Sequence, residues 1–264
     1  MRFRLTALIG LALLLFSCDE IQENPFDPEG ENYTSPDTFI NMEELEGSVL
    51  DTSSVTITWS GNDLTVEYAY KLNESSWSEW NTDTFVTLNY LDEGTNTFSV
   101  KGRYASDEED QSPATVNFFV DMIQGPGLRV YTMLTVMNLD STQNVSIYAE
   151  DVEELVIIRF QVQYDSELLA LSPQAVIKGE LLAGIAEMVF IVEEISAGLI
   201  EVNVGIPSHI GVTGTGSLLT LPFTSKSTGS TAIEIQNAEF GKLGNISGDS
   251  EPFIGIANGM VVVQ

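Results

Sequence analysis

A chain of 264 residues with 39 acidic and 10 basic side chains carries a net charge of −29. Such a surface repels nucleic-acid phosphates and offers nothing to anionic lipid headgroups. The charge does not imply disorder, because 43% of the residues are hydrophobic, and the single cysteine excludes an intrachain disulfide.

Residues 1–17 open with Arg2 and Arg4 and continue through an apolar run from Leu5 to Phe16. A basic tip and a short apolar stretch make a secretory signal, too short to serve as a stable membrane span. Its removal would take the net charge to −31, since both arginines leave with it. Residues 18–35, CDEIQENPFDPEGENYTS, are acidic, interrupted by Pro25, Pro28 and Gly30, and show no hydrophobic period. They read as a flexible tether.

Gly125-Pro126-Gly127 divides the remainder into segments 36–121 and 122–264. Both contain short alternating apolar runs broken by Gly, Asn, Asp and Ser, so the expected class is all-β, two tandem β-sandwiches. In the first, Val55, Ile57 and Trp59 alternate with Thr56 and Thr58, and further runs lie at Val66–Tyr70, Phe85–Leu88, Phe98–Val100 and Val116–Val120. Six or seven such strands suit a small sandwich. Trp77 and Trp80 are candidates for carbohydrate binding, because an apolar sugar face packs on an aromatic ring. The alternative is that Trp59 and one of the pair fill the core. The acidic run Asp107-Glu108-Glu109-Asp110 lacks the ligand spacing of a calcium loop and reads as solvated.

In the second segment the pattern predicts strands around Arg129 to Met137, Val145 to Tyr148 and Leu155 to Tyr164. Phe160, Val162 and Tyr164 alternate with Arg159, Gln161 and Gln163, so one face of that strand is buried and the other polar. The one histidine, His209, cannot form a zinc site alone, and neither a G-x-S-x-G elbow nor a phosphate-cradling glycine loop occurs. Pairs such as Glu153-Glu154 and Glu193-Glu194 place their side chains on opposite faces of a strand. The expectation is a non-enzyme without a cofactor.

Three resemblances sharpen this reading. Leu15-Phe16-Ser17-Cys18 resembles the lipobox of bacterial lipoproteins, with Phe16 bulkier than the usual second residue. It implies a diacylglycerol on Cys18 and a membrane attachment through lipid, at the outer membrane or cell surface. Residues 36–121 resemble fibronectin type III and related immunoglobulin-like modules in ITWSGND, YAYKLN, WSEW and GTNTFSVKGRYASDEEDQS. Residues 122–264 resemble a cohesin domain in FQVQYDSELLAL, the Gly179-Glu180-Leu181 step, GSLLTLPFTSKSTGSTAI and NGMVVV.

The cohesin resemblance implies a nine-stranded jelly roll, related to cellulose-binding modules, that docks a dockerin-like protein partner. That partner would carry any calcium in its own loops. The docking face would include Arg159, Gln161 and Gln163. The family's strand offers an Asn and an Asp where this chain has Ile157 and Arg159. Two alternatives stand beside docking in polysaccharide degradation. One is direct polysaccharide binding, and the other is a structural envelope spacer.

Overall fold

The computed structural model describes residues 24–207, 211–244 and 250–264. Cys18 and His209 lie outside the described residues, as does the signal expected over 1–17.

Seven strands form the first sandwich: β1 (Thr38–Ile40), β2 (Val49–Leu50), β3 (Val55–Gly61), β4 (Thr65–Leu72), β5 (Phe85–Leu88), β6 (Gly94–Tyr104) and β7 (Ala114–Val120). One sheet has the order β1-β3-β5 and the other β2-β7-β6-β4. Period-2 alternation on β3 sends Ile57 and Trp59 inward, where they meet Tyr68, Phe98, Val100, Val116 and Phe118. The Trp59 ring lies 5.8 Å from that of Phe98 and 6.2 Å from that of Tyr68.

The stretch expected to be a free tether over 18–35 is pinned to this sandwich from Phe26 onward. Phe26 packs edge-on against Tyr104 at 5.8 Å. Tyr104 Oη donates to the Thr34 carbonyl at 2.8 Å, and Asn62 Nδ2 donates to the Ser35 carbonyl at 2.8 Å. Tyr33 Oη donates to Glu108. Two aromatic side chains in an otherwise polar, Pro-broken segment supply the anchors that its composition conceals.

Twelve strands follow among the described residues: β8 (Gly127–Tyr131), β9 (Leu134–Met137), β10 (Thr142–Gln163), β11 (Leu169–Ala170), β12 (Ile177–Lys178), β13 (Val189–Ser196), β14 (Leu199–Gly205), β15 (Val212–Ser225), β16 (Gly229–Lys242), β17 (Glu251–Pro252), β18 (Gly255–Ala257) and β19 (Gly259–Val263). Three are two-residue pieces, and the remaining nine build the second sandwich.

Here β10 belongs to both layers. Its first part, from Thr142 to Ala149, pairs with β8 and β15, and its last part, from Ile157 to Gln163, pairs with β14 and β16. The sequence suggested two separate strands over this stretch. Bulges keep them continuous: Asp151 and Glu154 both adopt φ +49°, and Thr215 and Thr213 hydroxyls accept their backbone N–H groups at 3.0 Å. Conversely, the single strand expected from Arg129 to Met137 is two, β8 and β9, in different layers.

One layer is β18-β8-β10-β15 with β11 and β12 beyond, and the other is β13-β14-β10-β16-β19-β9. Leu128, Ile147, Leu219 and Leu221 cluster with Phe160, Val162, Val202 and Ile233, all completely buried. Each such side chain contributes roughly 1.5–3 kcal/mol of hydrophobic stabilisation, and no disulfide is needed.

Candidate functional site

The second layer leaves its outer face uncovered, and the strand registers assign its residues to rows. One row reads Val189, Gly205, Ile157, Gly241 across β13, β14, β10 and β16. The next reads Ile191, Asn203, Arg159, Glu239. A third reads Glu193, Glu201, Gln161, Gln236. Because Ile158 and Phe160 point into the core, Ile157 must point out, and it is 48% exposed.

Its two cross-strand neighbours are glycines. A Cβ at Gly241 would stand 3.4 Å from that of Ile157, and one at Gly205 would stand 3.5 Å from that of Val189. Their missing side chains leave a depression of about 440 Å³, walled by Ile157, Val189, Asn203, Glu239 and Lys242. On the edge strand, Val189 and Ile191 are exposed by 51% and 44%. Isolated exposed apolar residues are ordinary, but a contiguous group over a concavity marks a surface that another molecule covers.

Beside the apolar row runs a hydrogen-bonded chain of polar side chains. Arg159 Nε donates to Asn203 Oδ1 at 3.0 Å, and Asn203 Nδ2 donates to Glu201 Oε1 at 3.1 Å. Gln161 Nε2 donates to Glu201 Oε2 at 3.2 Å and accepts from Asn237 Nδ2 at 2.8 Å. The Asn203 and Gln161 hydrogen bonds hold the Glu201 carboxyl below its usual range, so it stays ionised into mildly acidic solution. These mutual bonds fix the donors and acceptors of the face before any ligand arrives.

Of the three residues proposed from sequence, Arg159 and Gln161 join this chain. Gln163 lies on the same strand face, but its amide donates to the Gly198 carbonyl at 2.9 Å and closes a turn. Sequence reading missed Val189, Ile191, Glu201, Asn203, Gly205, Asn237 and Gly241. Only cross-strand register brings them to β10, and nothing local signals it.

Trp77 and Trp80 lie on the outer side of β4 and β6, interleaved with cations. Lys71 and Lys101 stand 5.1 and 4.9 Å from the Trp77 centroid, and Lys101 and Arg103 stand 5.1 and 4.6 Å from that of Trp80. In the acidic loop, Glu109 pairs with Lys101 at 2.5 Å and Asp107 with Arg103 at 3.0 Å, while Asp110 accepts from the Ser112 backbone at 2.7 Å. Among the described residues no group of three or more His, Cys, Asp or Glu is placed to hold a metal ion.

No protein-family model matches the sequence, and no curated protein matches it. Solved structures do resemble the fold. A non-cellulosomal cohesin from the archaeon Archaeoglobus fulgidus is 20% identical, with 52% of this chain and 90% of that one covered at a TM-score of 0.42. The cohesin CaCohA2 from Clostridium acetobutylicum is 18% identical over 53% of this chain and 96% of that one, TM-score 0.42. The sixth cohesin of scaffoldin B from Acetivibrio cellulolyticus, solved with a Cel5 dockerin, is 19% identical over 53% and 100%, TM-score 0.44. Over about half of its length, therefore, the chain is similar to cohesins.

Proposed function

We propose that this protein is a non-catalytic, lipid-anchored surface module whose exposed sheet face docks a partner protein of the dockerin type. One observation carries the reading. The apolar depression around Ile157 adjoins a pre-ordered polar chain from Arg159 to Asn237. An apolar centre with a hydrogen-bonding margin is the anatomy of a protein-binding surface. The sequence resemblance of residues 122–264 to cohesins names the class of partner. The acidic surface favours a partner with a basic margin, which long-range attraction would steer to the face.

Cys18 would supply the anchor by becoming the acylated N-terminus of an exported protein. With residues 26–35 pinned to the first sandwich, only residues 19–25 would separate lipid from folded protein, a reach of at most about 25 Å. The module would then hold its partner, and through it polysaccharide-degrading activity, close to the membrane. Calcium would belong to the partner's loops.

The test immobilises the intact protein and exposes it to the organism's envelope and secreted fractions, first with calcium and then with chelator. Capture of a specific protein that chelator releases, and that Ile157→Asp and Arg159→Asp fail to retain, is the expected result. Identical capture by both variants and the parent would exclude this face.

A further inference from the structure

The outer face of the three-stranded sheet in the first sandwich has a composition unlike the rest of the chain. Its outward residues are Phe39 on β1, Thr56, Thr58 and Ser60 on β3, and Phe85 and Thr87 on β5. None of them is charged, in a chain with 49 charged Asp, Glu, Lys and Arg residues. Asn41 and Asn89 extend the face past the strand ends, and acids border it: Asp83 beside Ser60 at the β5 edge, Asp37 before β1, and Glu43 and Glu44 after Asn41. Phe39 and Phe85 are 49% and 58% exposed. Core packing does not require either ring there, because the inward alternates Ile40 and Val86 already serve the core.

The register gives the spacing of the two positions. Phe39 pairs with Ser60 and Phe85 with Thr58, on opposite sides of β3. Two inter-strand steps of about 4.8 Å and a two-residue stagger of about 6.8 Å put their Cα atoms roughly 12 Å apart. Between and beside them lies a lattice of hydroxyls and amides already oriented by each other. Thr56 and Thr87 Oγ1 are 2.8 Å apart, Ser60 Oγ donates to Asn41 Oδ1 at 3.2 Å, and Ser54 Oγ donates to Asn89 Oδ1 at 2.8 Å. A hydroxyl in such a pair still has acceptor capacity, and the Asn41 amide keeps both N–H donors for a ligand.

We propose that this face binds an uncharged polysaccharide laid across the strands, with pyranose rings stacked on Phe39 and Phe85 and their hydroxyls bonded to the Thr, Ser and Asn lattice. That Cα separation is roughly the length of two to three pyranose units in an extended chain. An open, flat face admits a polymer, whereas a small molecule would need a concavity. A polyanion is disfavoured by the surrounding acids and by the absence of any cation on the face. The site is separate from the docking face, on another sheet of another sandwich, and stands or falls independently of it.

Affinity electrophoresis of the intact protein in gels containing hydroxyethyl cellulose, xyloglucan or xylan tests the proposal, with polygalacturonate as the charged control. At least one neutral polymer should retard the protein, and polygalacturonate should not. The double variant Phe39→Ala/Phe85→Ala should lose at least tenfold in affinity, and Thr58→Glu should weaken binding similarly. Phe39 and Phe85 are exposed and Thr58 is half-buried on the same outer face, and the unfolding curves of both variants should overlay the parent's. Arg159→Asp should bind polymer as the parent does. Absence of retardation by every neutral polymer would overturn the proposal, as would retardation unchanged in the double variant. Sedimentation showing a dimer that Phe39→Ala/Phe85→Ala dissociates would instead assign the face to a second copy of the chain.

Discussion

Asp92 Oδ1 accepts a hydrogen bond from the backbone N–H of Met133 at 2.7 Å, so a loop of the first sandwich caps a turn of the second. Next to it, Glu93 Oε1 accepts from the N–H groups of Met122 and Ile123 at 2.9 and 3.0 Å. Tyr90, Met122, Ile123, Met133 and Ala257 pack into a small apolar cluster at the same place. Arg129, paired with Glu150 and lying 5.0 and 4.7 Å from the ring centroids of Tyr131 and Tyr148, supplies the nearby positive charge. The joint between the sandwiches is built from capped backbone and apolar contact, with no long linker between them.

Removing the Asp92 cap should therefore loosen the joint. Asp92→Ala leaves a partly buried N–H without a partner, at a cost of about 1–3 kcal/mol. Faster limited proteolysis between residues 121 and 134 would register it, and an unchanged cleavage rate would show that the cap is dispensable.

The pH dependence of the same joint has a definite sign. Burial raises the Asp92 carboxyl above its usual value, outweighing the Met133 hydrogen bond and the Arg129 charge, and burial likewise raises Glu93. A raised carboxyl binds its proton more tightly in the folded chain. The stability it contributes is present below the unfolded value and is lost as pH rises through the folded one. Asp92→Asn removes this titration. The stability of the parent minus that of Asp92→Asn, from urea unfolding, should therefore fall as pH is raised from the ordinary carboxylate range to neutrality. A difference that rises instead would mean that the hydrogen bond outweighs desolvation.

On the face proposed for docking, the two glycines beside Ile157 offer a substitution that separates stability from binding. Neither Gly205 nor Gly241 has positive φ, and an added Cβ at either meets neighbours at ordinary contact distance. Gly→Ala at such a position should leave stability equal or raise it by about 0.4–1 kcal/mol, mainly through the unfolded state. If the depression receives a partner side chain, Gly205→Ala/Gly241→Ala should lower partner affinity at least tenfold while the melting temperature holds or rises. Unchanged affinity would move the contact away from this row.

How much of this was legible in the sequence depended on whether a signal was local. The alternation of Phe160, Val162 and Tyr164 with Arg159, Gln161 and Gln163 placed the buried and outward faces of β10 correctly. Gly205, Asn203 and Gly241 sit more than 40 residues from Ile157 and Arg159, and only register joins them. Phe39 and Phe85 are hidden for the same reason, since each looks like an ordinary strand aromatic until β3 aligns them. The run from Tyr148 to Leu155 looked like a break because Asp151, Glu153 and Glu154 interrupt its period. Threonine hydroxyls from β15 carry the strand through those bulges.

The tryptophan–cation stack on the first sandwich should contribute measurably to its stability. Lys101 lies over both Trp77 and Trp80 and pairs with Glu109. Lys101→Met keeps most of the aliphatic stem and removes the charge. Two cation–π contacts at about 0.5–1 kcal/mol each predict a loss of roughly 1–2 kcal/mol in unfolding free energy. A change in tryptophan emission should accompany it. Unaltered stability would reduce the stack to surface decoration.

The pinned N-terminal segment offers a spectroscopic test. The Tyr33 hydroxyl donates to the Glu108 carboxylate, and that hydrogen bond is the main reason its pKa is pushed up to about 12, with desolvation and the Glu108 charge adding to it. Its phenol should stay protonated while exposed tyrosines ionise near pH 10. By the same linkage, the contact contributes stability below the ordinary tyrosine value and loses it as pH rises through about 12. Ultraviolet difference titration of the parent against Tyr33→Phe isolates this group, and Glu108→Gln should return it towards the ordinary range. If Tyr33 titrates near 10 in the parent, the segment is not held at Glu108. The Phe26–Tyr104 packing and the Tyr104–Thr34 and Asn62–Ser35 hydrogen bonds would then hold the segment alone.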